Sequence, residues 1–178
     1  YKPPAPEVVN AFREQAERAD VHPAFLHGIY LVNLGTPDAQ NLAKGIASLT
    51  HYMKLAAGIG AAGVVFHAGS HRGAGYEGIF EQTVAAIQQV LEGSPPGPWL
   101  AIENSAGMGQ HIGARFDEIG RIMKAVGSAR IKLCLDTQHC LAAGYNVAET
   151  SGLERTLAEL DRDIGLANLV AVHANDSK

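Results

Sequence analysis

The amino-acid sequence predicts an α/β fold of repeated β/α units, namely about five units of a (β/α)8 TIM barrel in one partial domain over residues 1–178. Three observations support this prediction: amphipathic helical patterns alternate with short apolar runs, the runs have the composition of buried parallel strands, and most end on a side chain that can bind a metal. A complete barrel has eight strands and ~250 residues, so a chain of 178 residues is predicted to contain part of one.

Five amphipathic helices are predicted from apolar residues that recur at three- and four-residue steps. These positions are Val8 and Phe12; Leu42, Ile46, Leu49 and Met53; Ile79, Phe80, Val84 and Ile87; Phe116, Ile119 and Met123; and Leu153, Leu157, Leu160 and Ile164. The pattern Ser151-x-x-Glu154 is typical of a capping box and predicts that the fifth helix begins there.

Five short apolar runs between the helices are predicted to be strands. They are AFLHGIYLV (24–32), GVVFH (63–67), PWLAIE (98–103), IKLCLD (131–136) and NLVAVH (168–173). Nearly continuous hydrophobic runs are typical of parallel strands that are buried on both faces. The run GIGAAG (58–63) precedes a strand instead of following one, so it does not match a dinucleotide-binding fingerprint.

Composition places the chain among soluble globular proteins, with 47% hydrophobic and 18% charged residues. No run approaches the ~20 apolar residues that span a bilayer, and the first residues, YKPPAPE, lack the pattern of a signal peptide. We expect a monomeric, cytoplasmic protein without a membrane partner, with Cys134 and Cys140 reduced. The net charge of −4 weighs against non-specific electrostatic binding of nucleic acid over a broad surface, so a polyanionic partner would need a local positive site.

Four of the five predicted strands end on a side chain that can bind a metal: His67, Glu103, Asp136 and His173. The first predicted strand carries His27 within its length. Repeated β/α units also allow an open doubly wound sheet, but in a barrel the strand ends converge on the face where active sites are built. The strand ends therefore favour the barrel and predict that these side chains share a cavity.

Each of these side chains also has a simpler interpretation. A single buried histidine is more often a hydrogen-bonded core residue than a ligand, and a carboxylate followed by Asn104 or Thr137 can cap the next turn. Burying Glu103 and Asp136 without a cation, however, costs several kcal/mol per ion. Imidazoles together with carboxylates suit zinc, manganese or iron, so the sequence predicts a metal site without naming the metal.

The remaining histidines fall into separate groups. His139 lies three residues after Asp136, so it can reach a second metal ion. His71 is intermediate between a ligand and a packing residue. The last three are predicted to be surface or packing residues: His22, His51 and His111.

Motifs around these residues resemble those of the endonuclease IV family of apurinic/apyrimidinic (AP) endonucleases. The motifs are HGIYLVNL (27–34), FHAGSH (66–71), IENSAGMG (102–109), CLDTQH (134–139) with AAGY (142–145), and HANDSK (173–178). Because five motifs occur in the family's order, the resemblance is far more specific than any one of them. It implies a TIM-barrel enzyme of base excision DNA repair that cleaves the phosphodiester 5′ of an abasic site in double-stranded DNA and leaves a 3′-hydroxyl.

The resemblance also implies a trinuclear zinc site, with manganese as an alternative metal. His27, His67 and Glu103 would hold one zinc ion. Glu103, the bridging and catalytic carboxylate, would reach a second ion that Asp136 and His173 also hold. The third ion would be served by His139.

Further residues are implied to contact DNA. Tyr30 and Leu31 match the residues that enter the duplex at the lesion. Arg72 and Lys178 are candidate phosphate contacts, and a solvated surface position is equally compatible with the sequence for each of them.

The chain departs from the family pattern in its loops and its length. Ile29 and Ala68 stand where the family has proline, which affects loop stiffness more than metal binding. By the family's order, the two opening strands and the last strand are absent, and with them go further ligands of the second and third ions. His139 alone is fewer than the three or four ligands that a zinc ion usually has. We therefore expect a segment of a longer protein that lacks both ends.

Two other functions stay open at the level of the sequence. A sugar-isomerase-like barrel also uses Glu, Asp and His at its strand ends. A truncated chain that binds metal or abasic DNA without catalysis is the non-enzymatic alternative. Conversion of an aldose would favour the first of these, and nicking that survives Glu103→Gln would favour the second.

Overall fold

The computed structural model describes residues 3–176. Five parallel strands form one sheet in the order β1-β2-β3-β4-β5, and they are Phe25–His27, Gly63–Phe66, Trp99–Glu103, Ile131–Asp136 and Leu169–His173. Six helices accompany them: α1 Pro6–Arg18, α2 Ala39–Ile59, α3 Gly75–Glu92, α4 Phe116–Val126, α5 Thr137–Ala142 and α6 Thr150–Asp163, with a short 3₁₀ turn at Leu166–Asn168 before β5. The predicted succession of β/α units is confirmed, and the sheet forms part of a barrel wall.

The first strand is much shorter than the predicted run 24–32. Its pairing with β2 ends with the bond from Gly28 N–H to the Val65 carbonyl, and the chain then continues as a loop. The same loop returns to the sheet edge where Leu34 N–H donates to the Ala68 carbonyl. His27 is thus the last residue of its strand, and each of the five strands ends on, or one residue before, a predicted metal ligand.

Two predictions at the helices are wrong. The capping box is not formed: the N-cap of α6 is Glu149, two residues before Ser151, so the helix begins at Thr150 and Ser151 lies inside it. The first helical hydrogen bond marks this start: Leu153 N–H donates to the Glu149 carbonyl at 2.8 Å. Helix α5 was missed, because its six residues are too short to show a helical period.

The hydrophobic core lies mainly between the sheet and helices α2, α3, α4 and α6, and its largest fully buried side chains include Phe66, Leu100 and Phe116. On the other face of the sheet, Val65, Ala101 and Cys134 form a second, smaller cluster. The central strands are therefore buried on both faces, which explains their continuous hydrophobic sequences.

The first helix packs differently from the others. Helix α1 forms as predicted, but it has no buried residue, and Val8 and Phe12 are 61% and 46% exposed. Its apolar positions therefore contribute little to the core of this chain. No helix within residues 3–176 has the length and apolar character that crossing a membrane requires.

Candidate metal centre

Glu103 lies at the centre of a cluster of histidines and is only 2% exposed. Its Oε2 lies 2.9 Å from His27 Nε2 and 3.4 Å from His67 Nε2. Its Oε1 lies 3.0 Å from His173 Nδ1 and 3.4 Å from His139 Nδ1. The two oxygens of one carboxylate thus face two different pairs of imidazoles, which come from both sides of β3.

Asp136 has two roles at the end of β4. As the N-cap of α5, its Oδ1 accepts a hydrogen bond from His139 N–H at 2.9 Å. Its Oδ2 accepts from Asn175 Nδ2 at 2.6 Å and lies 3.7 Å from His173 Nδ1. The capping alternative considered for this carboxylate is therefore correct, and the same carboxylate also adjoins the histidine cluster.

Two groups of side chains in residues 3–176 place their ligand atoms within 4.8 Å of one another. These groups are His27 with Glu103 and His173, and Glu103 with Asp136 and His139. The structure brings together all six residues predicted to bind metal, because His67 also adjoins Glu103. Imidazole nitrogens and carboxylate oxygens suit zinc and manganese, so the donor set fits the metals that the sequence implied.

Electrostatics keep Glu103 ionised despite its burial. Burial raises the pKa of this carboxyl, but hydrogen bonds from His27 and His173 and the nearby His67 outweigh it and hold the pKa below the ordinary 4.5. The bond to Glu103 raises the pKa of His27, whereas burial lowers the pKa of His67. A buried carboxylate that stays charged at neutral pH requires donors or positive charge nearby; the histidines supply the first, and a bound cation could supply the second.

The two cysteines are not candidate ligands. Cys134 and Cys140 are free thiols, as predicted, and burial raises the pKa of each to about 12. Since a metal binds the thiolate form, both sulfurs are poor donors at neutral pH.

Residues of the loop 28–38 line two cavities, and the first of these adjoins the cluster. A cavity of about 330 Å³ is lined by Tyr30, Leu31, Arg72 and two histidines of the cluster. A second cavity, of about 510 Å³, is lined by Leu31, Arg72 and Lys44. Tyr30 and Leu31 are 71% and 87% exposed, so both project from the surface next to the metal-binding residues.

Hydrogen bonds within the loop, and from two neighbouring segments, hold this loop in place. Asn33 Oδ1 accepts from Gly35 N–H and from Ser70 N–H, each at 3.0 Å. Gln82 of α3 donates through Nε2 to the carbonyls of Leu34 and Thr36 at 2.8 Å. The exposed Tyr30 and Leu31 are therefore carried by an anchored loop, a feature that the sequence did not predict.

The remaining sequence-predicted residues lie as follows. His71 is not in the cluster, because its Nδ1 accepts hydrogen bonds from Gly73 and Gly75 at the start of α3. His111, predicted to be a surface or packing residue, lines the 330 Å³ cavity, 6.4 Å from the Tyr30 ring. Lys178 lies outside the described residues 3–176.

The sequence matches a known family along its whole length. Residues 1–178 match the AP endonuclease 2 family, described as a xylose isomerase-like TIM barrel. Probable endonuclease 4 of Chloroflexus aurantiacus is 35% identical over 179 residues, which cover 99% of this chain and 63% of the relative. Its counterpart in Halothermothrix orenii is 37% identical over 171 residues, 96% of this chain and 62% of the relative. The chain spans about three fifths of the length of these relatives.

Solved structures give the same fold. Endonuclease IV from Thermus thermophilus superposes with a TM-score of 0.85 at 38% identity, covering 99% of this chain and 61% of the other. A D-tagatose 3-epimerase-like protein superposes with a TM-score of 0.80 at 17% identity, covering 98% of this chain and 63% of the other. The second likeness concerns the fold alone. Together these matches confirm the predicted barrel and the resemblance of the motifs.

Proposed function

The chain belongs to the AP endonuclease 2 family of xylose isomerase-like TIM barrels, and we propose that it carries the metal centre of an endonuclease that cleaves DNA 5′ of abasic sites. The observation that carries this proposal is the position of Glu103, a buried carboxylate whose two oxygens face separate groups of ligands. A carboxylate with this geometry can bridge two metal ions.

The distances suggest which atoms would hold each ion. On the Oε2 side of Glu103, His27 Nε2 and His67 Nε2 supply two nitrogens. On the Oε1 side, His173 Nδ1 supplies a nitrogen and Asp136 Oδ2 lies 3.7 Å from it. We assign the first ion to His27, His67 and Glu103, and the second to Glu103, Asp136 and His173.

His139 is the remaining candidate ligand. The other five candidate residues are assigned to the first two ions. In this proposal His139 contributes to a third ion. We propose zinc for the first two positions, with manganese as the alternative, because the donor set consists of imidazoles and carboxylates. Three zinc ions is the number that the resemblance implies for the full family site.

Paired divalent ions supply Lewis acidity and a nucleophile at neutral pH for phosphodiester hydrolysis. The chain's own residues prepare the centre for this. Glu103 holds negative charge between the histidines, and the Gly28 carbonyl, 2.8 Å from His27 Nδ1, fixes the His27 ring so that Nε2 points at Glu103. The bound cations would also concentrate positive charge where a phosphate must lie, although the chain as a whole is acidic.

The exposed loop residues support a DNA substrate. We propose that Tyr30 and Leu31 enter the duplex at the lesion, where no base pair has to be broken. Arg72, which lines both cavities beside the loop, is the proposed phosphate contact. The partner is therefore double-stranded DNA with an abasic site, and we propose a monomer that acts in the cytoplasm.

Incision of a duplex that carries a single abasic site tests this function. We expect the zinc-loaded 178-residue chain to cut 5′ of the site and to leave a 3′-hydroxyl, and we expect Glu103→Gln to remove the cutting. Glu77→Gln is the matched control, since Glu77 is an exposed carboxylate paired with Arg121 on α4. A zinc-loaded chain that leaves the duplex intact, or cutting that survives Glu103→Gln, would contradict the proposal.

A further inference from the structure

Asn104 follows Glu103 at the end of β3 and is only 2% exposed. Main-chain pairing between β3 and β4 ends with Glu103 and Cys134. Beyond this pair, the Asn104 side chain binds both backbone groups of Asp136: Asp136 N–H donates to Asn104 Oδ1 at 2.6 Å, and Asn104 Nδ2 donates to the Asp136 carbonyl at 3.2 Å. The side-chain amide therefore continues the strand pairing as a peptide group would.

The backbone of Asn104 holds a second candidate ligand. His139 Nδ1 lies 2.9 Å from the Asn104 carbonyl oxygen, which can only accept a hydrogen bond. Nδ1 therefore carries the hydrogen, and the free lone pair of His139 is on Nε2. Since Nδ1 is also the nitrogen 3.4 Å from Glu103 Oε1, the nitrogen nearest Glu103 cannot bind a metal in this tautomer.

Asn104 thus connects three candidate ligands that come from two strands and a helix. It is bonded covalently to Glu103, it holds the peptide groups on both sides of the Asp136 Cα, and it accepts from the His139 ring. Asp136 in turn receives the His139 N–H through its cap. A displacement of Asn104 would therefore move Asp136 and His139 together relative to Glu103.

We propose that Asn104 is a positioning residue of the metal centre, which sets Asp136 and His139 relative to Glu103 and determines that His139 binds metal through Nε2. This inference rests on the proposed function and adds a residue to its metal centre. Only asparagine offers both an acceptor and a donor at this length, because aspartate lacks the Nδ2 hydrogens and leucine lacks both groups. Partners that orient ligands in this way typically contribute about 10–100-fold to metal affinity.

Zinc affinities of Asn104→Asp and Asn104→Leu test the side-chain contacts. We expect both variants to weaken the binding of zinc by Asp136 and His139 about 10–100-fold, and to leave unchanged the zinc ion held by His27 and His67. Ser105→Ala is the matched control, because Ser105 is the next residue, is 5% exposed, and its hydroxyl has no hydrogen-bond partner within residues 3–176. Wild-type affinity for every zinc ion in both Asn104 variants would overturn the proposal.

The tautomer of His139 tests the backbone contact without any change at Asn104, so it remains informative even if the variants fail to fold. We expect imidazole ¹⁵N chemical shifts of the zinc-free wild-type chain to show the hydrogen of His139 on Nδ1, with His139→Gln identifying the signal. A hydrogen on Nε2 would overturn the assignment. Neither readout depends on cleavage. A chain that binds zinc but does not cut abasic DNA would contradict the proposed function. The role of Asn104 would still be tested by the zinc affinities of its variants and by the tautomer of His139.

Discussion

The imidazole rings of His27 and His173 stack on each other, with centroids 5.6 Å apart and planes inclined by 24°. These residues end β1 and β5, the two outer strands of the five-stranded sheet. In a flat sheet, four spacings of about 4.8 Å would separate them by roughly 19 Å. The sheet is therefore strongly curled, and its curl gathers the strand ends around Glu103.

Replacing the central carboxylate should remove most zinc binding. We expect Glu103→Gln to weaken zinc by more than about 100-fold, since even residues that only orient ligands contribute 10–100-fold. Competition with a chelating dye, with bound zinc per chain determined on the same sample, measures this loss. Glu77→Gln should bind zinc like the wild type; wild-type zinc binding by Glu103→Gln would exclude a bridging role for that carboxylate.

The pair formed by His27 and Glu103 should make stability of the zinc-free chain depend on pH. Since folding raises the pKa of His27, the pair's contribution is complete below the unfolded value of 6.5 and is lost as pH rises through the higher folded value. Glu103 stays ionised there, because its pKa lies below 4.5.

Melting temperatures of the wild type and His27→Gln, both freed of metal, measure this contribution. The difference between them should be larger at about pH 5.5 than at about pH 9. Comparing the two chains at each pH cancels the titrating groups that do not interact with His27 or Glu103. A difference that does not change with pH would show that the pair does not stabilise the folded chain.

Tyr145 should stabilise the junction between α4 and α6. Its ring stacks on Phe116 with centroids 4.3 Å apart, and its hydroxyl accepts from Phe116 N–H at 3.2 Å and donates to Glu159 at 3.1 Å. Tyr145→Phe keeps the stacking and removes both hydrogen bonds, so the free energy of unfolding should fall by about 1 kcal/mol. Urea denaturation measures the change, and Tyr30→Phe, at a 71% exposed residue, should have no effect.

Arg72 should contribute one phosphate contact to DNA binding. We expect Arg72→Gln to weaken binding of the abasic duplex and to reduce the slope of log affinity against log salt by about 1. Fluorescence anisotropy over a range of salt concentrations measures that slope. Arg18→Gln on α1 is the control, since Arg18 is exposed and lines neither cavity; equal slopes for Arg72→Gln and the wild type would remove Arg72 from the interface.

Gly69 should be needed to anchor the loop 28–38. Its φ is +97°, and a Cβ at this position would fall on Asn33, whose Oδ1 holds Gly35 and Ser70. Gly69→Ala should therefore lower the melting temperature and loosen the loop that carries Tyr30 and Leu31. Thermal unfolding combined with limited proteolysis measures both effects, with Gly73→Ala as a control because its φ is also positive and its Cβ would meet nothing.

The sequence alone determined the order of β/α units and the residues that end the strands. Hydrophobic periodicity and the turns that interrupt it are local properties, so they place Glu103, Asp136 and His173 at strand ends, and His67 directly after one, without knowledge of packing. The end of β1 is not a local property. Residues 28–32 are as apolar as a strand, so the sequence predicts that the strand continues to residue 32, but their contacts with β2 and the residues after it show that they form a loop.

Only the tertiary structure decided how the candidate ligands are arranged. His27 meets Glu103 across 76 residues of sequence, and the oxygen it faces depends on the curl of the sheet. The local sequence does not show which of two nearby histidines belongs to the cluster. His71 accepts from Gly75 N–H at the start of α3, whereas His67 adjoins the Glu103 carboxylate. The role of Asn104 likewise arises only where β3 and β4 stop pairing, because the groups it binds belong to Asp136 and His139, 32 and 35 positions away in the sequence. Such contacts depend on the packing of the whole sheet, and no single segment of sequence specifies them.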